Sequence, residues 1–196
     1  MPPADGPAGR ATWPRWTVRH PINFYNDVDY GLTDGLLTTA PGDVDLDASA
    51  LVLGGDGRVL SDQHFVFFNN RTTPEQSVRH TSDNKTGEGE GDDEQIAVDF
   101  NLLPAHAESV VFVVSVHNEG GAAITFGRIR DAYIRAVHQA TEVEMCRYEP
   151  TEDAHDQTAM VFGQLYRRDG EWKFRAIGQG YATGLAGIAK DYGVNV

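Results

Sequence analysis

The stretch that most constrains this chain runs from residue 81 to residue 94, where acidic residues alternate with glycines. It carries six carboxylates against one cation, Lys85; the acidic residues are Asp83, Glu88, Glu90, Asp92, Asp93 and Glu94. Like charges this close repel, and each glycine adds chain entropy that folding must overcome. A solvated loop is the ordinary interpretation of such a run. A bound Ca²⁺ would counter both effects, since it takes about six to eight oxygen ligands at flexible angles.

A second acidic cluster precedes this stretch at Asp43, Asp45 and Asp47. Apolar residues alternate with these aspartates, and the pattern predicts a strand that continues to Leu53. Asp45 and Asp47 then lie on the same face of that strand, about 7 Å apart. Neither cluster completes an EF-hand loop, because Ala48 stands where the first needs glycine and the second has a lysine at a ligand position. Together, the two incomplete clusters suggest a metal site shared between them.

Charge and composition narrow the function further. The chain has 196 residues, of which 16 are basic and 29 acidic, so its formal net charge is −13. Such a surface repels nucleic-acid phosphates and anionic lipids, so no nucleic-acid partner is expected. No apolar run is long enough for a transmembrane segment, and the first residues lack the pattern of a signal peptide. A single cysteine, Cys146, fits a reducing compartment, and we expect a cytoplasmic protein.

Short β-branched and aromatic runs between Gly-rich turns predict a mainly β fold. The most apolar run, Val110–Val114, predicts a central strand covered on both faces. The turn at 167–170 predicts a hairpin between two further strands. Other strands are expected at 49–53, 59–60, 65–68, 77–80, 95–100, 142–148, 159–166 and 172–177. We therefore predict that residues 43–196 form a two-sheet antiparallel β-sandwich.

Two helices are predicted within this domain. Residues 128–140 carry apolar side chains at helical spacing, which predicts one amphipathic helix; the apolar residues are Ile129, Ala132, Tyr133, Ala136, Val137 and Ala140. Residues 184–192 predict a short C-terminal helix. Residues 1–42 follow neither the strand nor the helix period, and we predict a divergent, partly mobile N-terminal segment.

Familiar catalytic patterns fail on spacing. Residues 82–84 and 85–87 look like two elements of a serine penicillin-binding site, but those elements must come from separated parts of a fold. The seven histidines show no paired zinc spacing, and no Gly-x-Ser-x-Gly sequence is present. No catalytic residue and no organic cofactor are therefore predicted.

Six long motifs stand out along the chain: Asp45–Ser49, His64–Asn70, His80–Glu94, Phe126–Ile134, Thr158–Gly163 and Glu171–Tyr181. They closely resemble the TerD family of tellurium-resistance proteins, also called a cyclic-AMP-binding-protein-like or stress-protein family. The resemblance covers about residues 43–196. It implies a calcium-binding β-sandwich of the tellurium-resistance and general stress response, with no established catalysis.

The resemblance also implies a set of metal ligands. The family's acidic positions map onto Asp45, Asp47, Asp83, Asn84, Glu88, Glu90, Asp92, Asp93 and Glu94, with the carbonyls of Gly87 and Gly89 as further ligands. Ca²⁺ is the implied cofactor, and other tellurium-resistance proteins are the implied protein partners. The N-terminal segment departs from the family pattern, because Asp34 has no preceding tryptophan as in the usual Gly-Trp-Asp element.

Two other functions fit the same residues. One is an enzyme that uses carboxylate-bound Mg²⁺ or Mn²⁺ on a phosphorylated substrate, but a phosphate needs cations, and around the acidic stretch only Lys85, Arg79 and Arg71 are available. The other is an interaction module whose acidic face docks basic partners without metal. The sequence does not separate that role from calcium binding, since both can hold.

Overall fold

The computed structural model describes residues 23–24, 31–36, 46–83, 94–116, 125–128, 134–138, 143–148 and 156–196. These residues form antiparallel strands in two sheets, with one α-helix near the C-terminus. The strands are Asn23–Phe24 (β1), Gly31–Leu36 (β2), Leu46–Leu53 (β3), Phe65–Val66 (β4), Val78–Asp83 (β5), Glu94–Asp99 (β6), Ser109–Val116 (β7), Ile134–His138 (β8), Val143–Tyr148 (β9), Ala159–Arg168 (β10) and Glu171–Tyr181 (β11). The helix, α1, spans Gly184–Asp191. The prediction of a mainly β fold is confirmed.

Sheet A has the strand order β1-β11-β10-β7-β3-β4, and sheet B has the order β5-β6-β2-β8-β9. One hydrophobic cluster draws residues from both sheets, including Ala50 and Phe112 of sheet A and Ile96 and Val98 of sheet B. The described parts of the two sheets therefore share a core. The face-to-face arrangement of a sandwich stays a prediction.

A second hydrophobic cluster lies on the other face of sheet A. There Ile188 and Ala189 of α1 pack with Leu51, Val111 and Val113. Strand β7 is thus covered on both faces, which explains why its side chains are almost continuously apolar. The sequence-based prediction of a central buried strand and of a short C-terminal helix is confirmed.

The N-terminal segment contributes to both sheets. Strand β1 pairs with β11 at the edge of sheet A. Strand β2 pairs with β6 on one side and β8 on the other, so it lies inside sheet B. The proposed domain boundary at residue 42 stays a prediction, but a strand that precedes it is part of the second sheet.

The helix predicted over 128–140 is wrong wherever this region is described. Phe126–Arg128 is a short 3-10 helix and Ile134–His138 is strand β8, while 129–133 and 139–140 lie outside the described residues. In β8, Ala136 is fully buried and its neighbours Arg135 and Val137 are half-buried, which is the period of a strand. Pairing with β2 and β9 has overridden the local helical spacing.

Two smaller expectations also change. Val59 makes a single bridge to Leu53 in place of a strand over 59–60, and β4 ends at Val66.

In the described part of the chain, no helix has both the length and the apolar character to cross a membrane.

A chain of polar contacts ties the loop between β4 and β5 to the 3-10 helix at Asp62–His64. The Ser61 hydroxyl lies 2.8 Å from His64 Nδ1, and His64 Nε2 lies 3.3 Å from a Glu75 carboxylate oxygen. Ser77 donates from its hydroxyl to the other oxygen of Glu75. Partial burial acts to raise the pKa of Glu75, but these hydrogen bonds and the nearby His64 lower it below its usual 4.5.

The lowered pKa of Glu75 predicts a loss of stability in acid. A carboxyl whose pKa is lower in the folded state stabilises the fold above its unfolded pKa, and this contribution is lost as the pH falls through the folded value. The unfolding free energy of the native protein should therefore drop more than that of Glu75→Gln as the pH falls below about 4.5. Urea unfolding at a series of pH values tests this, with Glu108→Gln, at an exposed position, as the matched control. Parallel curves for the native protein and Glu75→Gln would refute it.

Gly163 provides a test of the packing in sheet A. It follows a register shift in β10, where a Cβ would lie 2.5 Å from Phe174 Cζ and 3.0 Å from the Arg175 carbonyl oxygen. Gly163→Ala should therefore lower the free energy of unfolding by about 1–3 kcal/mol, the usual cost of overpacking. Gly55→Ala is the matched control, because its Cβ would meet nothing closer than 3.8 Å. Equal urea midpoints for the two variants would contradict the close packing of Gly163 against Phe174 and Arg175.

Candidate functional site

Strands β5 and β6 hold the two ends of the acidic stretch side by side. Strand β5 ends at Asp83 and β6 begins at Glu94, and these two residues are direct partners in the antiparallel register. Residues 84–93 therefore begin and end at neighbouring positions of one sheet. Eight of the predicted ligands lie outside the described residues: Asp45, Asn84, Gly87, Glu88, Gly89, Glu90, Asp92 and Asp93.

Glu94, at the start of β6, is a buried carboxylate. Its Oε2 lies 2.6 Å from Nε2 of His80 on β5, and both side chains are at most 2% exposed. Val78 and His80 follow each other on the inward face of β5, so the sequence alternation of that strand carries His80 into the interior. An imidazole N–H that donates to a carboxylate at this distance forms a charge-assisted hydrogen bond.

The same Glu94 oxygen reaches the other sheet. It accepts a hydrogen bond from the backbone N–H of Ala48 on β3, with the nitrogen 3.4 Å away. Strand β4 pairs with β3 only at Ala50 and Leu51, so Ala48 lies beyond its reach. Glu94 thus accepts a hydrogen bond from a backbone N–H of β3 that β4 does not reach. Through this bond and its contact with His80, Glu94 links β3, β5 and β6.

Asp47 lies next to this contact in the chain. It is half-buried on β3, in register with Ser115 of β7. Because side chains alternate along a strand, Asp47 shares the face of Leu51 and Leu53, which belong to the cluster under α1. The bond between Glu94 and the backbone of Ala48 brings the backbone of Asp47 close to Glu94. The antiparallel register places Asp83 beside Glu94 on the neighbouring strand.

Two buried polar atoms lack a hydrogen-bond partner among the described residues, namely His80 Nδ1 and Ser49 Oγ. Leaving a buried polar atom unsatisfied costs about 1–3 kcal/mol. His80 is therefore held by one strong contact, from Nε2 to Glu94, while its Nδ1 has no hydrogen-bond partner among the described residues.

The described part of the site suits an oxygen-binding cation in its chemistry but does not form a complete shell. Carboxylates such as those of Asp47 and Glu94 are donors that Ca²⁺ prefers. However, Oε2 of Glu94 already bonds to His80 and to Ala48, so its first role is to join the strands. Within the ranges that the structure describes, no group of three acidic, histidine or cysteine side chains is placed to hold a metal.

From the sequence, Glu94 is predicted to be a metal ligand, and no role is predicted for His80. The available signal was the position of His80 two residues after the apolar Val78, on the buried face of a strand that enters the acidic stretch. A histidine on that face needs a polar partner, and Glu94 is the acidic residue at which the next strand begins. Periodicity alone predicts the burial but not the partner.

Comparisons with known proteins agree with the motifs. The family model described as the TerD domain matches residues 22–192, so the match begins upstream of residue 43 and includes β1 and β2. The tellurium resistance protein TerD of Serratia marcescens is 48% identical over 153 residues, which are 78% of this chain and 80% of that protein. General stress protein 16U of Bacillus subtilis (strain 168) is 43% identical over 154 residues, which are 79% of this chain and 80% of that protein.

A solved structure supports the fold. The crystal structure of a homologue of telluride resistance protein (TerD) from Streptomyces coelicolor A3(2) superimposes with a TM-score of 0.69. The similarity covers 83% of this chain and 96% of that one, at 20% sequence identity. At this identity, the likeness concerns the arrangement of the strands alone.

The buried pair predicts a strong energetic coupling. His80→Ala should lower the free energy of unfolding by about 3 kcal/mol or more, because it leaves the Glu94 carboxylate buried without its partner. In a double-mutant cycle with Glu94→Ala, the two losses should differ from additivity by more than about 1 kcal/mol. Urea unfolding in chelator-containing buffer measures this without interference from metal.

The control for this cycle is His106→Ala, since His106 is exposed on a loop. That change should stay within about 0.5 kcal/mol. Strictly additive losses at residues 80 and 94 would show that the two side chains do not form a working pair.

Proposed function

Because the chain belongs to the TerD family, we propose that it is a calcium-binding protein of the tellurium-resistance and general stress response. The names of its relatives supply the biological setting, since they include tellurium resistance proteins and general stress protein 16U. The ion is the part that the residues themselves suggest. The role requires no catalytic step at the acidic stretch, and we place it in the cytoplasm.

The observation that supports this proposal most is the register of Asp83 with Glu94. Two strands hold the ends of a segment that carries Glu88, Glu90, Asp92 and Asp93 between them. Glu94 in turn is bonded to β3 at Ala48, next to Asp47. Glu94 thus connects the end of the acidic stretch to the backbone of β3 beside Asp47, the described member of the upstream cluster.

Electrostatics explains why an ion would be bound there. In the metal-free protein the carboxylates of residues 83–94 repel one another, and a single lysine opposes them. A divalent cation replaces this repulsion by attraction and orders the glycines that separate the acids. Ca²⁺ fits better than Mg²⁺, because it accepts many carboxylate and carbonyl oxygens at irregular angles.

In this proposal Asp47 and the carboxylates between Asp83 and Asp93 hold the ion, with Asn84 and the carbonyls of Gly87 and Gly89 as further ligands. Glu94 has a different task, since its Oε2 already joins β6 to β5 and β3. It fixes the end of the segment and keeps its position whether or not the ion is bound.

The proposal predicts a calcium-dependent rise in stability. A ligand that binds only the folded state adds roughly 2.7 kcal/mol at a hundredfold excess over its Kd. Calcium should therefore raise the Tm of chelator-treated protein well beyond the effect of NaCl at equal ionic strength, and Mg²⁺ should do less. Differential scanning calorimetry measures all three.

Variants locate the effect. Asp47→Asn and Asp92→Asn should each reduce the calcium-induced rise in Tm while the metal-free Tm stays the same or increases, because each removes a repelling charge. Asp191→Asn removes one charge at the exposed end of α1 and should change nothing. If both residues surround one ion, the double variant should lose little more than either single variant.

Two results would reject the proposal. If calcium leaves the Tm of the native protein where NaCl leaves it, the acidic stretch is a solvated loop or a docking surface for basic partners. If Asp191→Asn reduces the calcium effect as much as Asp92→Asn does, the ion responds to net charge and not to a site.

A further inference from the structure

A second polar cluster, formed by Ser61, His64 and Glu75, lies apart from the acidic stretch in the chain. Its members join in one line: the Ser61 hydroxyl lies 2.8 Å from His64 Nδ1, and His64 Nε2 lies 3.3 Å from Glu75 Oε2. A serine, a histidine and a carboxylate in this order form the arrangement that activates a nucleophilic hydroxyl. The role proposed above uses none of these three residues.

The carboxylate determines which ring nitrogen of His64 carries the proton. The ionised Glu75 carboxylate lies 3.3 Å from Nε2, and its charge favours the form of the ring in which Nε2 carries the proton. Nδ1 then presents its lone pair to the Ser61 hydroxyl, which donates. Compared with the familiar serine hydrolase triad the two nitrogens exchange roles, but the chemistry is the same: a base touches the hydroxyl, and a carboxylate orients the base.

Glu75 is itself held in place. Ser77 donates to its second oxygen, and the Ser77 hydroxyl lies 3.1 Å from that of Thr73. Ser77 and Thr73 are buried, so this end of the line is anchored in the protein interior. An oriented carboxylate of this kind stabilises the imidazolium that forms when His64 accepts a proton.

The other end of the line is open to solvent. Ser61 is exposed, whereas the side chains of His64 and Glu75 are 13% and 25% exposed. A serine that begins a helix usually turns its hydroxyl toward the backbone N–H groups of the first turn. Ser61 precedes the 3-10 helix Asp62–His64 but makes no such capping bond, and its hydroxyl meets the imidazole instead.

The surroundings fix the loop that carries Ser61 and set its charge. The Asn70 side chain donates to the carbonyls of Gln63 and Phe65, and the backbone N–H and side-chain amide of Asn195 donate to Asp62. The ionised carboxylates of Asp62 and Glu75 disfavour anionic substrates near the hydroxyl. An uncharged carbonyl compound is therefore the class of reactant that suits the site.

We propose that Ser61, His64 and Glu75 form a reactive-serine site that accepts an acyl group from an uncharged ester. Ser61 Oγ attacks the ester carbonyl carbon while its proton passes to His64 Nδ1. The bond from that carbon to the leaving oxygen then breaks, and His64 returns the proton to the departing alcohol. The acyl group remains on Ser61 as an ester, and no oxidant or metal is needed. This activity goes beyond the calcium-binding role and does not depend on it.

The test uses p-nitrophenyl acetate on the full chain in chelator-containing buffer. The native protein should release p-nitrophenol and gain one acetyl group, which peptide mass spectrometry should locate on Ser61. General-base assistance contributes about 100-fold or more, so His64→Gln should slow acetylation of Ser61 by about that factor. Glu75→Gln should also slow it, since it removes the charge that holds and supports the base.

The controls are His106→Gln and Glu108→Gln, which make the same chemical changes at exposed positions outside the cluster. Both should acetylate Ser61 at the native rate. Because the side chain of Ser61 is exposed, Ser61→Ala should keep the native Tm. This variant should carry no acetyl group at residue 61. The proposal is overturned if Ser61 of the native protein carries no acetyl group, or if it is acetylated at the same rate in His64→Gln.

Discussion

The buried contact between His80 and Glu94 is the constraint on which the rest of this structure depends. A carboxylate that loses water must recover the cost through well-placed donors. Glu94 recovers it from two, the imidazole of His80 on β5 and the backbone N–H of Ala48 on β3. One oxygen atom thereby joins three strands and both sheets, at the point where the acidic stretch ends.

This contact divides the acidic residues into two kinds. Glu94 is buried and holds strands together, while its register partner Asp83 lies at the other end of the segment 84–93. The chain that carries the acidic residues between them leaves and re-enters sheet B at these two paired positions. Asp47, half-buried beside Ala48, belongs to the same region. A concentration of charge with fixed ends is favourable for cation binding, because the ends need no further ordering.

The sequence predicts the fold where local pattern and tertiary environment agree. Val110–Val114 is apolar on every residue, and β7 gives side chains both to the cluster that it shares with sheet B and to the cluster that it shares with α1. The hairpin of β10 and β11 follows from its turn, where Asp169 and Gly170 both adopt positive φ.

The sequence does not predict the structure correctly where pairing between strands distant in sequence determines the secondary structure. Residues 134–138 have helical spacing, yet they form β8, because β2 and β9 supply hydrogen bonds on both sides. Strand β2 lies in a segment whose apolar residues follow neither the strand nor the helix period, so the local sequence does not predict it. His80 is a similar case: alternation with Val78 predicts its burial, but the partner Glu94 is fourteen residues away. Local periodicity cannot show such a contact, since it depends on the register between two strands.

Calorimetric titration of the chelator-treated protein with Ca²⁺, and with Mg²⁺ in parallel, tests the central claim most directly. We expect a saturable heat with calcium at a stoichiometry of at least about one ion per chain, and weaker or no binding with magnesium. The heat should vanish in Asp47→Asn/Asp92→Asn and persist in Asp191→Asn. A native protein that gives only the heat of dilution with calcium would contradict the account, and so would equal binding of calcium by the double variant.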